Sequence, residues 1–110
     1  MEMNEETKKM IIEFQNYQQQ LQSVLIQKES LKLQNMEIER ALEELGKTKQ
    51  TSAYKITGQI MISKPVKELK EEMDELKETI DLRVKSLEKN EERISNKLKD
   101  LQEKLKEVIK

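Results

Sequence analysis

The sequence predicts a mainly α protein: two long helices paired as an antiparallel coiled coil and joined by a central β-hairpin. Three observations predict it. Apolar residues recur every seven positions in each half of the chain. One short β-rich stretch, SAYKITGQIMIS from Ser52 to Ser63, lies almost at the midpoint of the 110 residues. Aromatic residues make up only 3% of the chain and charged residues 39%, which suits helices that bury one narrow stripe and wet the rest.

The first helix is carried by Met3, Met10, Tyr17, Val24, Leu31, Ile38 and Leu45. A second series, four residues later, runs through Phe14, Leu21 and Leu42 but holds Lys28 and Asn35 in its middle. This is the pattern of a coiled-coil seam with one interrupted stripe. Polar residues at seam positions fix register and partner choice, which is the role expected of Lys28 and Asn35. Gly46 follows Leu45 and is expected to close the helix in the left-handed conformation. The helix then covers about residues 5 to 45 and is roughly 60 Å long at 1.5 Å per residue. KTKQTS, from Lys47 to Ser52, is polar and predicts a loop. Gly46-Lys47-Thr48 also looks like the end of a phosphate-binding loop. That motif needs a glycine five positions before Gly46, where Ala41 stands, so a helix stop is the better account.

The hairpin is read from Tyr54, Ile56, Gly58, Ile60, Met61 and Ile62. A two-residue turn at Gly58–Gln59 puts glycine where a type II′ turn needs it. Facing pairs are then Thr57 with Ile60, Ile56 with Met61, Lys55 with Ile62 and Tyr54 with Ser63. Cross-strand partners share a face, so one face carries Tyr54, Ile56 and Met61 and the other Ile60 and Ile62. A lone two-stranded hairpin is marginal in water and has two open edges. The helices' stripes are committed to each other. Intermolecular pairing, with hairpins of several chains joined into one sheet or closed β-barrel, resolves the exposure.

The second helix, about residues 65 to 109, starts at Pro65, whose missing N–H costs nothing in a first turn. Val66, Met73, Ile80, Leu87, Ile94, Leu101 and Val108 repeat every seven residues. Leu69 and Leu76 flank this series at +3, Leu98 and Leu105 at +4, so the companion stripe is expected to change sides near Arg83 to Glu91. Folding at the chain's centre pairs Val24 with Leu87, Leu31 with Ile80, Ile38 with Met73, Leu45 with Val66 and Met10 with Leu101, each summing to 111 in residue number. Glu43–Lys47, Asp81–Lys85 and Asp100–Lys104 are one turn apart in the favourable order.

Charge and inventory narrow the function. Twenty-one basic and 22 acidic residues leave a net charge of −1, with no basic excess for nucleic acid. No apolar run approaches a membrane span. MEMNEETKK lacks the marks of a signal peptide. With cysteine also absent, a soluble protein of the cytoplasm is expected. Histidine and cysteine are both missing, which removes the commonest general base and the usual zinc ligands. No enzyme, metal or cofactor is therefore expected. Glu71, Glu72, Asp74 and Glu75 crowd one region, but Lys67, Lys70 and Lys77 lie among them, and a solvated helix face accounts for them.

Both termini fall at the same end of the helical hairpin and concentrate Met1, Met3, Met10, Ile11, Ile12, Val108 and Ile109. Ile11, Ile12 and Ile109 lie off the main seven-residue series, so one antiparallel partner cannot bury them all. Methionine adapts its shape to many surfaces. These residues are the candidate binding surface for an apolar partner.

YKITGQIMI between two long helices resembles the β-type subunit of archaeal prefoldin. FQNYQQQLQSVLIQKESLKLQ leading to ALEEL supports the resemblance, as does ELKETIDLRVKSLEKNEERISNKLKDLQEKL. It covers almost the whole chain, as one prefoldin-like domain from 1 to 110, and its most specific part is Tyr54 to Ile62. The resemblance implies a hexamer of two α-type and four β-type subunits. Their hairpins would form a double β-barrel platform carrying six coiled-coil tentacles. It further implies an ATP-independent holdase that captures non-native client proteins at the tips and passes them to a group II chaperonin. The rival is a structural or tethering coiled coil that binds one helical partner and does not depend on the hairpin.

Overall fold

The structure is a computed structural model and describes residues 4–109, with side chains through Val108. Its elements run α1 (Glu5–Lys47), β1 (Ser52–Thr57), β2 (Ile60–Pro65) and α2 (Val66–Ile109). The mainly α architecture with a central antiparallel hairpin is the expected one.

Helix α1 opens on an N-cap. Asn4 Oδ1 accepts a hydrogen bond from the Thr7 N–H at 2.7 Å, and Asn4 O accepts the Lys8 N–H at 3.1 Å. The side-chain oxygen thus satisfies a donor that the first turn leaves without a partner. Glu5 and Glu6 in that turn complement the helix dipole.

The far end of α1 differs from expectation. Gly46 lies inside the last turn without a positive φ; Gly58 alone among the described residues has one. The helix continues to Lys47, and the Thr48 N–H still bonds Glu44 O at 3.1 Å. The 2.9 Å Glu43–Lys47 ion pair lies across this final turn. The chain then leaves the helix through Thr48, whose hydroxyl accepts the Gln50 N–H at 3.2 Å. Pro65 ends β2 rather than opening α2, and the Val66 N–H bonds Thr51 O at 2.9 Å.

Two compact units are present, each with its own core. One joins the chain up to Ser30 with Lys85 onward; the other is Leu31–Val84. In the first, Val24, Ile94 and Leu101 are buried, and Thr7 joins them. In the second the buried set is Leu31, Ile38, Val66, Leu69 and Ile80. All the apolar members belong to the heptad series or flank it, as knobs-into-holes packing requires.

Within Leu31–Val84 the helices run antiparallel, because Asn35 meets Asp81 and Glu39 meets Lys77. Both pairs sum to 116 in residue number. In the other unit Lys28 meets Glu91, a sum of 119. Asn and Asp have short side chains, so a 2.6 Å contact leaves little slack along the axis. The symmetric fold with pairs summing to 111 is therefore corrected by five residues at Asn35–Asp81, about one and a half helical turns. Ile38 lies level with the stretch from Lys77 to Ile80 rather than with Met73.

The companion stripe is corrected too. Lys77, at +4 from Met73, is already half-buried, whereas Leu76 is half exposed. Lysine can serve a seam because its methylene stem packs while its ammonium reaches out. Here that ammonium meets Asp81 at 3.2 Å and Glu39 at 3.5 Å. Near Arg83 to Glu91 the packing includes half-buried Val84 in one unit and half-buried Leu87 in the other.

Candidate functional site

The hairpin forms with the expected register throughout: Tyr54 opposite Ser63, Lys55 opposite Ile62, Ile56 opposite Met61 and Thr57 opposite Ile60. Ser52–Pro65 and Ala53–Lys64 extend the ladder. Gly58 takes φ 61° while Gln59 keeps a negative φ. That combination is the type II′ turn and excludes type I′, which needs both residues positive. Only glycine reaches the first position without a steric penalty.

Alternation then sorts the side chains. One face carries Tyr54, Ile56 and Met61; the other carries Lys55, Ile60, Ile62 and Lys64. Neither face is covered. Tyr54 and Ile56 are each 70% exposed, Met61 64%, Ile60 63% and Ile62 41%. Both faces therefore expose apolar side chains, on an element with two open edges, and such exposure marks an interaction site.

Glu72 of α2 anchors this surface. Its Oε1 receives Lys64 Nζ from β2 at 2.7 Å, and its Oε2 receives Lys55 Nζ from β1 at 3.2 Å. Glu68 adds a longer contact to Lys64 at 3.8 Å. One carboxylate thus ties both strands to the helix through the lysines of one face. Hydrogen bonds from Lys64, then Lys55, hold the Glu72 carboxyl below its ordinary value. The bond to Glu72 raises Lys64 in turn. The sequence treats Glu72 as part of a solvated acidic run. Its role was hidden because neither lysine is near it in the helical pattern.

Beside β1 lies a groove of about 540 Å³. Ala41, Glu44 and Leu45 of α1 line it, with Leu69, Glu72, Met73 and Leu76 of α2. Ala53, Tyr54, Lys55 and Ile56 complete the wall.

The second candidate surface is only partly within view. Met1 and Met3 lie outside the described residues, as does the side chain of Ile109. Met10 and Ile11 are half-buried; Ile12 and Val108 are exposed. Expected seam residues Lys28 and Asn35 each find a partner across the helix pair. Lys28 meets Glu91 at 2.5 Å, which raises its pKa, and Asn35 donates to Asp81 at 2.6 Å. No helix among the described residues is long and apolar enough to cross a membrane.

Comparison with known proteins agrees with this architecture. The family model described as prefoldin subunit matches residues 8–110. A prefoldin subunit beta of Thermococcus onnurineus is 34% identical over 102 residues, covering 92% of this chain and 88% of the relative. One from Archaeoglobus fulgidus is 31% identical over 109 residues, covering 98% and 94%. The crystal structure of the prefoldin beta subunit from Thermococcus strain KS-1 superposes with a TM-score of 0.87 at 28% identity, over 97% of this chain and 95% of that one. With the same helix–hairpin–helix order along nearly its whole length, the chain belongs to the prefoldin subunit family and groups there with the β-type subunits.

Proposed function

We propose that this chain is the β-type subunit of a hetero-hexameric, ATP-independent holdase, built with two α-type and four β-type subunits. Membership of the prefoldin family supports a chaperone subunit. The observation that carries the assembly reading is the hairpin: its apolar side chains stand in water on both faces, and its own chain covers neither. Hairpins from several subunits close into a β-barrel platform and bury Tyr54, Ile56, Ile60, Met61 and Ile62, with Gly58 at the turn. Sharing the strand edges removes the unpaired backbone groups at the same time.

The coiled coils then project from the platform and hold clients at their free ends, through Met1, Met3, Met10, Ile11, Ile12, Val108 and Ile109. Each contact is weak. Several tips acting on one non-native protein raise the total by avidity, without a deep pocket. Release needs no nucleotide, because each single contact breaks quickly. The client passes to a group II chaperonin in the cytoplasm. A tethering coiled coil would leave the exposed hairpin without a use.

The test trims residues 1–8 and 107–110, or replaces Ile12→Asp with Val108→Asp, both exposed positions. The complex with the α-type partner is expected to keep its mass and helicity but to lose suppression of aggregation of a denatured client. Equal protection by trimmed and full complexes would remove the tips from the binding surface.

A further inference from the structure

Residues 14–27 of α1 include no charged side chain, in a chain where 39% of residues are charged. Ten of them are exposed. The Lys28–Glu91 contact sets residues 92–105 of α2 opposite them. Nine residues there are exposed, and seven of those are charged. One helix of this unit thus keeps the charged face that solvation favours, and the other gives it up. What replaces charge is carboxamide. Gln15, Gln18, Gln19, Gln20 and Gln22 are exposed, and their side chains bond to no protein group among the described residues. Gln27 alone is engaged, donating to Ser23 Oγ at 3.1 Å.

Ile12, Gln15, Gln19, Gln22 and Ile26 succeed each other at intervals of three and four residues, so they share one face of α1. That face is about 21 Å long. It starts at Ile12, a member of the candidate tip surface. A shallow hollow of about 290 Å³ lies on it, lined by Gln19, Gln22, Ser23, Ile26 and Gln27.

We infer that this face is a docking strip for the main chain of an extended, non-native client segment. The inference rests on the proposed capture of clients at the tips and adds a second kind of contact, made by hydrogen bonds along the shaft. A carboxamide offers donors and an acceptor, the same pair that a peptide group carries. Glutamines recur at each helical turn, about 5.4 Å apart. An extended chain presents peptide groups on one side about every 6.7 Å, and the flexible glutamine side chains span the difference. A folded protein pairs its main-chain groups internally, whereas an extended non-native segment leaves them open. The strip therefore separates non-native from native chains by the main chain itself and not by sequence. Ile12 and Ile26, 58% and 62% exposed, receive apolar client side chains at its two ends. With no cation on it, the strip has nothing to offer a phosphate backbone.

The test uses the complex with the α-type partner and an end-capped, uncharged, unstructured peptide as probe. N-methylation of the peptide removes main-chain N–H donors and adds apolar methyl groups. The complex should bind the methylated peptide more weakly, by about tenfold, the worth of one or two hydrogen bonds. Equal or tighter binding of the methylated form is what purely apolar capture gives, and it overturns the strip. Gln15→Met with Gln19→Met and Gln22→Met keeps side-chain length and helix propensity but removes the carboxamides. This triple variant should keep the mass and helicity of the complex and bind the two peptides alike. Asn96→Met with Gln102→Met, at exposed positions of α2, should still tell them apart. A triple variant that also tells them apart overturns the strip. If trimming residues 1–8 and 107–110 abolishes capture while the triple variant and N-methylation change nothing, the tips stand and the strip alone falls. If none of the three changes capture, both fall.

Discussion

Ile60→Asp combined with Ile62→Asp is the sharpest perturbation of the assembly. Fully burying an isoleucine side chain stabilises by about 1.5–3 kcal/mol. Ile60 is 63% exposed in the isolated chain and Ile62 41%. Covering what remains exposed is therefore worth about 2–3 kcal/mol per hairpin for the two together. The double substitution removes that gain. It also asks two carboxylates to leave water, at a cost of several kcal/mol each when unpaired. A loss of at least about 5 kcal/mol per hairpin weakens association by more than about a thousandfold, and each β-type subunit in a complex contributes its own loss. The isolated chain should tolerate the change. Neither side chain belongs to the helical core, and a carboxylate at position 62 would face Lys55 across the ladder.

Static light scattering after mixing with the α-type subunit measures the outcome, with circular dichroism as the check on folding. Helicity should match the unaltered chain while the mass stays at that of separate subunits. Ile60→Val with Ile62→Val keeps the apolar surface and should assemble. A hexamer of unaltered mass from the aspartate variant would refute the reasoning, since no rearrangement of a closed barrel hides two carboxylates per hairpin at no cost.

Two further predictions follow from the cores and the clamp. Ile94 is fully buried, and Ile94→Ala is expected to cost about 2–5 kcal/mol. Thermal melts read the loss, and hydrogen exchange should show it concentrated in the unit that contains Val24 and Leu101; Ile12→Ala, at an exposed position, should cost little. Glu72 should titrate below its ordinary 4.5 in a carboxyl-carbon NMR titration, and Lys64→Met should move it back up. Because its folded pKa is depressed, its contribution is present above the ordinary carboxylate value and is lost as pH falls through the folded one. Lys64 is raised above 10.5, so its contribution holds below that value and is lost as pH rises through the folded pKa. Glu72 titrating at or above 4.5 would remove the clamp.

The parts of the fold legible in the sequence are those set by local chemistry. Gly58 with its flanking alternation fixes the turn type, and the turn fixes every cross-strand pair. The seven-residue series marks the buried face of both helices. What escaped depends on the third dimension. A heptad pattern repeats after each seven residues, so it names the seam but not which heptad meets which. Only the contacts of Lys28, Asn35 and Glu39 decide that. Hydropathy also misplaced one member of the companion stripe, because it scores Leu76 above Lys77 while the packing prefers the lysine stem; Leu69 is buried as expected. Gly46 has the conformational freedom to stop a helix, yet nothing in its neighbourhood requires it to, and α1 runs on. Asn4 was legible in principle, as a capping residue just ahead of Glu5 and Glu6.

The polar seam explains why the pairing can be unique at all. Long helices with regular apolar stripes gain nearly the same burial in registers one heptad apart. A slip of that size would move Asn35 away from Asp81 and Lys28 away from Glu91. Lys28 would then stand against Val84 or Leu98, seven residues either side of Glu91, and an unpaired polar group in such a site costs more than the bond itself contributes. Even in the native register Asn35 Oδ1 is buried without a hydrogen-bond partner. The seam therefore gives up some stability at Asn35, while Lys28, whose carboxylate partner is replaced by an apolar residue in either slipped register, discriminates between registers. That discrimination serves the hairpin directly. Glu72 is the seventh residue of α2, so the position of its carboxylate relative to α1 follows from the register. Lys55 and Lys64 then carry that position into the strands. A slipped helix pair would still be a coiled coil, but it would present β1 and its groove against the wrong turn of α1.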